Sequence, residues 1–581
     1  MTQRFLAIVS RGEPDSDFGK RIASRLLKLQ PPLEVSITRR TTIATSGMPV
    51  RNFPGGAIFG SLFDRHHPQP VEILGDVETG RIVASRGQRL IDRYWGDYIA
   101  ILEADEFETI IVRAPFGELP SYYLVSGPTC AIASDVALLT DAQLLRPSLA
   151  VGALVRELAW KDLRGPETCL AGVAELLGGD CLTITSGNSR INTLWSPWNI
   201  SPSEEQASVD ELADRVRRQV LACVNARAAS FDRVLLLLSG GLDSSIVAAS
   251  LAKGRIPFDL VTMTTRDSLG DERDYARMMA AALKRPLHEA RREVARIDPE
   301  RSPAARLPRP AGRLFEQDTG QIAAEVAAQS GARALVTGGG GDNVFCSVQS
   351  AAPVADRLLT EGPGRGAFET ACAVGRVARA SVPAVLYAAL GRLPARRRRS
   401  PAAPDLSFLT DDAREAIGPV PHPWLATPAG ARPGQAAHIK LLAVAESFMR
   451  GFDPQVELPM IVPLLSQPLV ETCLSIPSWK WFSGSTNRAI ARQAFSQELP
   501  PTIAWRRSKG TPDSFVAEIY ERYQPVFREQ LLGGLLASER LIEADAVGQA
   551  FSRAGVLAPK DYLRLMRLAE VECWARGWAG R

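Results

Sequence analysis

Two glycine-rich clusters hold the residues of this sequence best able to do chemistry. The first is Leu235-Leu236-Leu237-Leu238-Ser239-Gly240-Gly241-Leu242-Asp243-Ser244-Ser245, an apolar run fit for a buried strand that passes through Ser-Gly-Gly into residues able to start a helix. Glycines let the backbone turn sharply and bring N–H groups against an anionic ligand, and the N-terminus of the following helix adds partial positive charge. The loop therefore suits phosphate. It is not a Walker loop, because Gly-x-x-x-x-Gly-Lys-Ser/Thr occurs nowhere in the sequence. The second cluster is Val336-Thr337-Gly338-Gly339-Gly340-Gly341-Asp342-Asn343. It places a carboxylate at the C-terminal end of a strand, where open α/β sheets bind ligands. Asp243 and Asp342 are the candidate carboxylates for holding Mg²⁺, which takes acidic side chains together with phosphate oxygens.

The elements that must position these loops can be read from periodicity. Up to about residue 200 the chain predicts short strands separated by turns: Phe5 to Ser10, Leu33 to Thr38, Ala57 to Leu62, Val71 to Leu74, Tyr98 to Leu102, Thr109 to Val112, Tyr122 to Val125 and Cys181 to Thr185. The Pro- and Ser-rich segment Ser196 to Ser203 marks a boundary, so residues 1–200 and 201–581 are expected to be two units. Beyond it Leu212, Val216, Val220 and Val224 recur at helical spacing, with Ser208 and Glu211 in the form of a capping box. An α/β alternation follows, with strands at Val234 to Leu238, Asp259 to Met263 and Ala334 to Thr337 and helices between them, which predicts one parallel sheet. From about Pro353 the chain reads as mostly helical, and residues 351–435, with the run Arg396 to Arg399, as a solvated and mobile insertion.

Composition excludes several classes. Among 581 residues, Lys+Arg 68 against Asp+Glu 64 gives +4, so no global field points to nucleic acid or an anionic membrane. The eight cysteines form no Cys-x-x-Cys pair, and no apolar run approaches the roughly 20 residues of a membrane span. A reduced, cytoplasmic protein is expected.

The order of motifs resembles the asparagine synthetase superfamily. The Ser239 loop is similar to the pyrophosphate-binding loop of ATP pyrophosphatases, and the Gly338 loop, Pro463-Leu464-Leu465 and Arg506-Arg507-Ser508-Lys509-Gly510 follow in the family's order. Arg93 to Tyr98, Arg113 to Tyr123 and Ala133-Ser134-Asp135 resemble its N-terminal glutaminase-like domain. The resemblance implies an α/β fold: an N-terminal Ntn-type αββα sandwich, then a parallel-sheet ATP-pyrophosphatase domain with a helical C-terminal part. It implies ATP bound by Leu237, Ser239, Gly240, Gly241, Leu242, Asp243, Ser244, Ser245, Met263, Gly338, Gly339 and Arg488, with Mg²⁺ on Asp243 and Asp342. Lys509 matches the family's catalytic lysine and joins Asp243 and Asp342 as the catalytic set.

Departures from the family pattern narrow the function. Glutamine-dependent members carry a nucleophilic cysteine where this sequence has Thr2. Asparagine synthetases carry Glu, and β-lactam synthetases Tyr, at the position of Gly339. The segment Val462-Pro463-Leu464-Leu465-Ser466-Gln467-Pro468 is most similar to lasso peptide macrolactam synthetases. The expectation is an ATP-dependent ligase that adenylates an Asp or Glu side chain of a leaderless core peptide and closes a macrolactam on its N-terminal amine. Its expected partners are the ribosomal precursor peptide, a leader-removing cysteine protease and a leader-recognition protein, with neither nucleic acid nor membrane. His438 and Glu446 are candidate bases for the amine. A small-molecule amide or β-lactam synthetase, a non-catalytic nucleotide-binding scaffold and a tRNA-directed pyrophosphatase remain the alternatives.

Overall fold

Alternating side chains build the N-terminal part. The computed structural model describes residues 3–10, 24, 33–37, 41–105, 107–127, 129–160, 162–203, 205–267, 271–393, 403–419, 422–449, 458–507, 510, 513–553 and 558–580. Along Tyr94–Asp105, Ile99 and Ile101 point to one core while Tyr98, Ala100 and Leu102 point to another. Along Arg4–Ser10, Phe5, Ala7 and Val9 share the first of these cores, and Leu6 and Ile8 face a third that includes Leu138 and Leu139 of the helix Val136–Asp141. Two six-stranded antiparallel sheets therefore lie face to face. Helix Val136–Asp141 covers one outer face, and helices Asp76–Ala84 and Gln88–Arg93 cover the other through Ile82, Leu90 and Ile91. The layering is αββα.

One expected strand is absent. Val71 to Leu74 forms no ladder; Pro70, which has no N–H to donate, makes only an isolated pairing with Phe63. Conversely, Thr41–Ser46, Thr129–Ala133 and Ser189–Thr193 are strands that short or polar stretches concealed.

The C-terminal part opens with the helix Val209–Ala228, whose N-terminus carries the full capping box: Glu211 N donates to Ser208 Oγ at 3.2 Å, and Ser208 N donates to Glu211 Oε2 at 2.8 Å. Its buried face joins the core beneath the second sheet, so the two parts share one apolar interior. Five parallel strands follow, in chain order Val234–Leu237, Phe258–Thr264, Leu287–Arg291, Ala334–Thr337 and Met460–Ile461. Across the sheet they run third, second, first, fourth, fifth. The order reverses between the first and the fourth strands, and that switch point is where open α/β sheets bind ligands.

The described residues of 351–435 are largely helical, at Ala352–Glu361, Arg365–Ala378, Val382–Leu390 and Asp411–Glu415. Ala352, Pro353, Val354 and Ala355 are buried, so this start of the segment belongs to the core. The Arg396 to Arg399 run lies outside the described residues. The pair Arg365–Ala378 and Val382–Leu390 is apolar but bends by 112°, and no single helix among the described residues is long and apolar enough to cross a membrane.

Candidate active site

Strand register brings the two glycine loops together. Leu237 pairs with Thr337, so both loops leave adjacent strands at the same level. Each then needs missing side chains to approach the other. A Cβ on Gly338 would stand 2.5 Å from Ser244 N, and one on Gly341 would overlap the Asp243 carboxyl carbon. Gly240, at φ +68°, turns the first loop with its α-carbon against Tyr275 and Ala276, where a Cβ would lie 2.5 Å from Tyr275 Cβ. Ser239 Oγ and Ser244 Oγ are 3.0 Å apart, and Gly241 N donates to Ser239 Oγ at 3.3 Å, which closes the loop on the N-terminus of the helix Leu242–Ala252. Ser245 is fully buried one step further in. Leu237 and Met263, at the ends of neighbouring strands, are only half-buried and offer an apolar edge beside the loops.

The two candidate metal carboxylates converge on one cation. Arg488 Nη1 lies 3.0 and 3.1 Å from the oxygens of Asp243 and 2.5 Å from Asp342 Oδ1. Asp243 is buried, whereas the Asp342 side chain is 42% exposed and faces the open side. Arg488 itself sits at φ 53°, a left-handed conformation that costs on the order of 1 kcal/mol for a non-glycine residue and recurs at functional sites. Two carboxylates reaching for a single positive centre beside a phosphate-shaped loop is the donor chemistry Mg²⁺ uses, so the residues fit that ion.

A clamp secures the other side of the first loop. Arg506 stacks 3.6 Å above the Tyr275 ring, its Nη2 lies 2.8 Å from Glu272 Oε1, and Gly510 N donates to the same Glu272 oxygen at 2.8 Å. Thus the residues flanking Ser508 and Lys509 are fixed near Gly240. Lys509 itself, like Thr2, lies outside the described residues. Glu272 gave no signal in the sequence, because its partners are more than 230 positions away.

Helix Pro433–Met449 supports the second loop. Asn343 Nδ2 donates to Leu441 O at 2.6 Å, and His438 Nε2 lies 3.0 Å from Val344 O, which accepts its proton. Burial pushes the His438 pKa down to about 4. This histidine, one of the two candidate bases, is a neutral tether of the Asp342 turn. Glu446 faces His422, whose Nε2 is 3.5 Å away and whose Nδ1 accepts from Trp424 N. That bond turns Nε2 toward Glu446, and the two side chains make a buried contact.

Behind Gly339 and Gly340 opens a cavity of about 460 Å³. Neither His438 nor Glu446 lines it. Its walls are mostly apolar, with Phe448, Met460, Val462 and Met566 among them, and its charged groups are Asp162, Arg313, Asp513, Arg567 and Glu570. These distal residues carry no motif.

No curated protein matches this chain. Among solved structures, one match is the glutamine phosphoribosylpyrophosphate amidotransferase from B. subtilis complexed with ADP and GMP, at 12% identity and a TM-score of 0.19, covering 44% of this chain and 65% of that one. Another is titled as the structure of the allosteric regulatory enzyme of purine biosynthesis, at 11% identity and a TM-score of 0.21, covering 57% and 89%. This chain thus spans just under two thirds of the first. The asparagine synthase family model matches residues 215–576, which include both glycine loops, both aspartates and Arg488. The chain belongs to the asparagine synthase family, whose members are ATP-dependent amide-forming ligases.

Proposed function

We propose that this protein is a macrolactam synthetase of the lasso peptide type, which cleaves ATP to AMP and pyrophosphate. The side-chain carboxylate of an Asp or Glu in a leaderless core peptide attacks the α-phosphorus of ATP, and the α–β bond breaks with loss of pyrophosphate. The peptide's N-terminal amine then attacks the acyl carbon, AMP leaves, and the amine gives up its proton. An amide ring forms.

The observation that carries this reading is the convergence at the switch point. The N–H groups at the start of helix Leu242–Ala252, with Ser239 and Ser244, receive the pyrophosphate oxygens, and helix N-termini suit that charge. Asp243 and Asp342 would hold Mg²⁺, which neutralises phosphate charge when bound. Arg488 keeps both carboxylates in place and is itself a partner for phosphate. Lys509 is the cation assigned to the developing oxyanion.

Substrate size argues for a peptide. At residue 339 glycine leaves the cavity mouth open, where asparagine synthetases carry Glu and β-lactam synthetases Tyr. Where glutamine-dependent members carry a nucleophilic cysteine this sequence has Thr2, and on this reading the amine is the peptide's own. The working partners would be the precursor peptide, a cysteine protease that frees the amine, and a leader-recognition protein, in the cytoplasm.

Reconstitution with the precursor, the protease and ATP tests the proposal by mass spectrometry. The expected product is one water lighter than the linear core and resists carboxypeptidase. A core peptide that stays linear while ATP is consumed on a small amino acid would replace this reading with the small-molecule ligase.

A further inference from the structure

The lining of the 460 Å³ cavity includes an unfinished hydrogen-bonding site. Arg567, on the C-terminal helix Pro559–Ala579, lines this cavity and is only 5% exposed. Its Nη2 donates to Glu157 Oε1 at 3.1 Å. Its Nε and Nη1 are buried with no hydrogen-bond partner, the nearest carboxylate oxygen of Glu570 standing 3.6 Å from Nη1. Burying donors without acceptors costs about 1–3 kcal/mol per group, which a ligand supplying the acceptor would offset. Burial and the nearby Arg313 both depress the Arg567 pKa, as expected for a guanidinium held dry.

The surrounding charge identifies the missing acceptor. Arg567 already faces two carboxylates, Glu157 and Glu570, and Arg313 is engaged by Asp162 at 2.7 Å. A further carboxylate would enter a site where acids already balance the arginines. A neutral carbonyl oxygen accepts hydrogen bonds without adding charge, so it satisfies the donors at lower cost. Apart from its charged groups the cavity lining is mostly apolar, Phe448 and Met566 included.

We infer that this cavity binds the acid substrate as a peptidic chain, with its reacting carboxyl at the Gly339 end, an apolar side chain across the middle, and an amide carbonyl on Arg567. The inference rests on the ligase reading for which end holds the reacting carboxyl. It adds the group that reads the chain.

Three probes isolate the carbonyl: N-succinyl-leucine N-methylamide, N-succinyl-isoamylamine, which lacks the terminal amide, and N-succinyl-leucine, which carries a carboxylate instead. Calorimetry on the full chain should show the methylamide binding about tenfold more tightly than either of the others. In Arg567→Gln the advantage over the isoamyl compound should fall to about twofold, with binding of the isoamyl compound unchanged. Equal binding of methylamide and isoamyl compound by the native chain, tightest binding of the free acid, or no binding of any probe would each overturn the inference. The native chain supplies this comparison even where Arg567→Gln fails to fold. Pyrophosphate release is measured separately: a methylamide preference without pyrophosphate release from any acid would sustain the subsite and sink the ligase reading.

Discussion

Carboxylates and arginines meet in two regions of this molecule with opposite results. At the glycine loops, Asp243 and Asp342 share one arginine nitrogen, and Asp342 stays 42% exposed. At the joint between the N- and C-terminal parts, Glu118 pairs with Arg227 and accepts from Val462 N at 2.8 Å, while Asp97 beside them accepts from Leu119 N at 2.7 Å. Burial, then Glu118, raises the Asp97 pKa. A second bolt lies nearby, where Glu471 takes Arg65 at 2.5 Å and Trp195 Nε1 at 2.8 Å. The joint's charges are spent on one another and on the backbone. On the proposed reading the loops are the reactive region because their charges converge on an opening, whereas a perturbed carboxylate such as Asp97 marks a buried structural network as readily as a site.

The comparison can be broken by substitution. Glu118→Ala should have the largest effect on folding, about 4 kcal/mol, because it strands the buried Arg227 and the Val462 N–H. A denaturant midpoint unchanged from the native chain would place this joint among ordinary surface contacts.

His438 gives a pH-dependent test of the loop's support. Its pKa falls from an ordinary 6.5 to about 4 in the folded chain, so the unfolded chain binds more protons between those values. Stability from this group is therefore complete above pH 6.5 and is lost as pH falls toward 4, on the order of 3 kcal/mol in total. In His438→Gln the stability curve should be flatter over that window; an identical slope would contradict the buried neutral tether.

At the loops the smallest change should act on chemistry more than on folding. Gly341→Ala drives a methyl into the Asp243 carboxyl, so pyrophosphate release should fall about a hundredfold, or about 2.7 kcal/mol in the barrier, with about 1 kcal/mol lost in stability. Unfolding in step with activity would erase the distinction between the regions.

Much of this was legible in the sequence, and unevenly so. The buried strand Val234–Leu237, its Ser-Gly-Gly turn and the capping box at Ser208 are local signals, because the residues that make each structure are neighbours in the chain. Arg488 was placed by resemblance, but its grip on both aspartates depends on a segment 245 residues from Asp243. Glu272, Glu118 and Arg567 had no local signature for the same reason: each is defined by a partner more than 100 residues away. His438 and Glu446 stood out as titratable residues on an apolar helix, and only packing showed that their faces turn to Val344 and His422 and away from the cavity.

At the two glycine loops this chain is proposed to activate a carboxylate by attack on the α-phosphorus of ATP. The most direct measurement uses a core peptide labelled with ¹⁸O in the side-chain carboxyl that closes the ring. One ¹⁸O is expected in the AMP released per ring formed, and no label in pyrophosphate. Label in orthophosphate, with ADP as the nucleotide product, would contradict it.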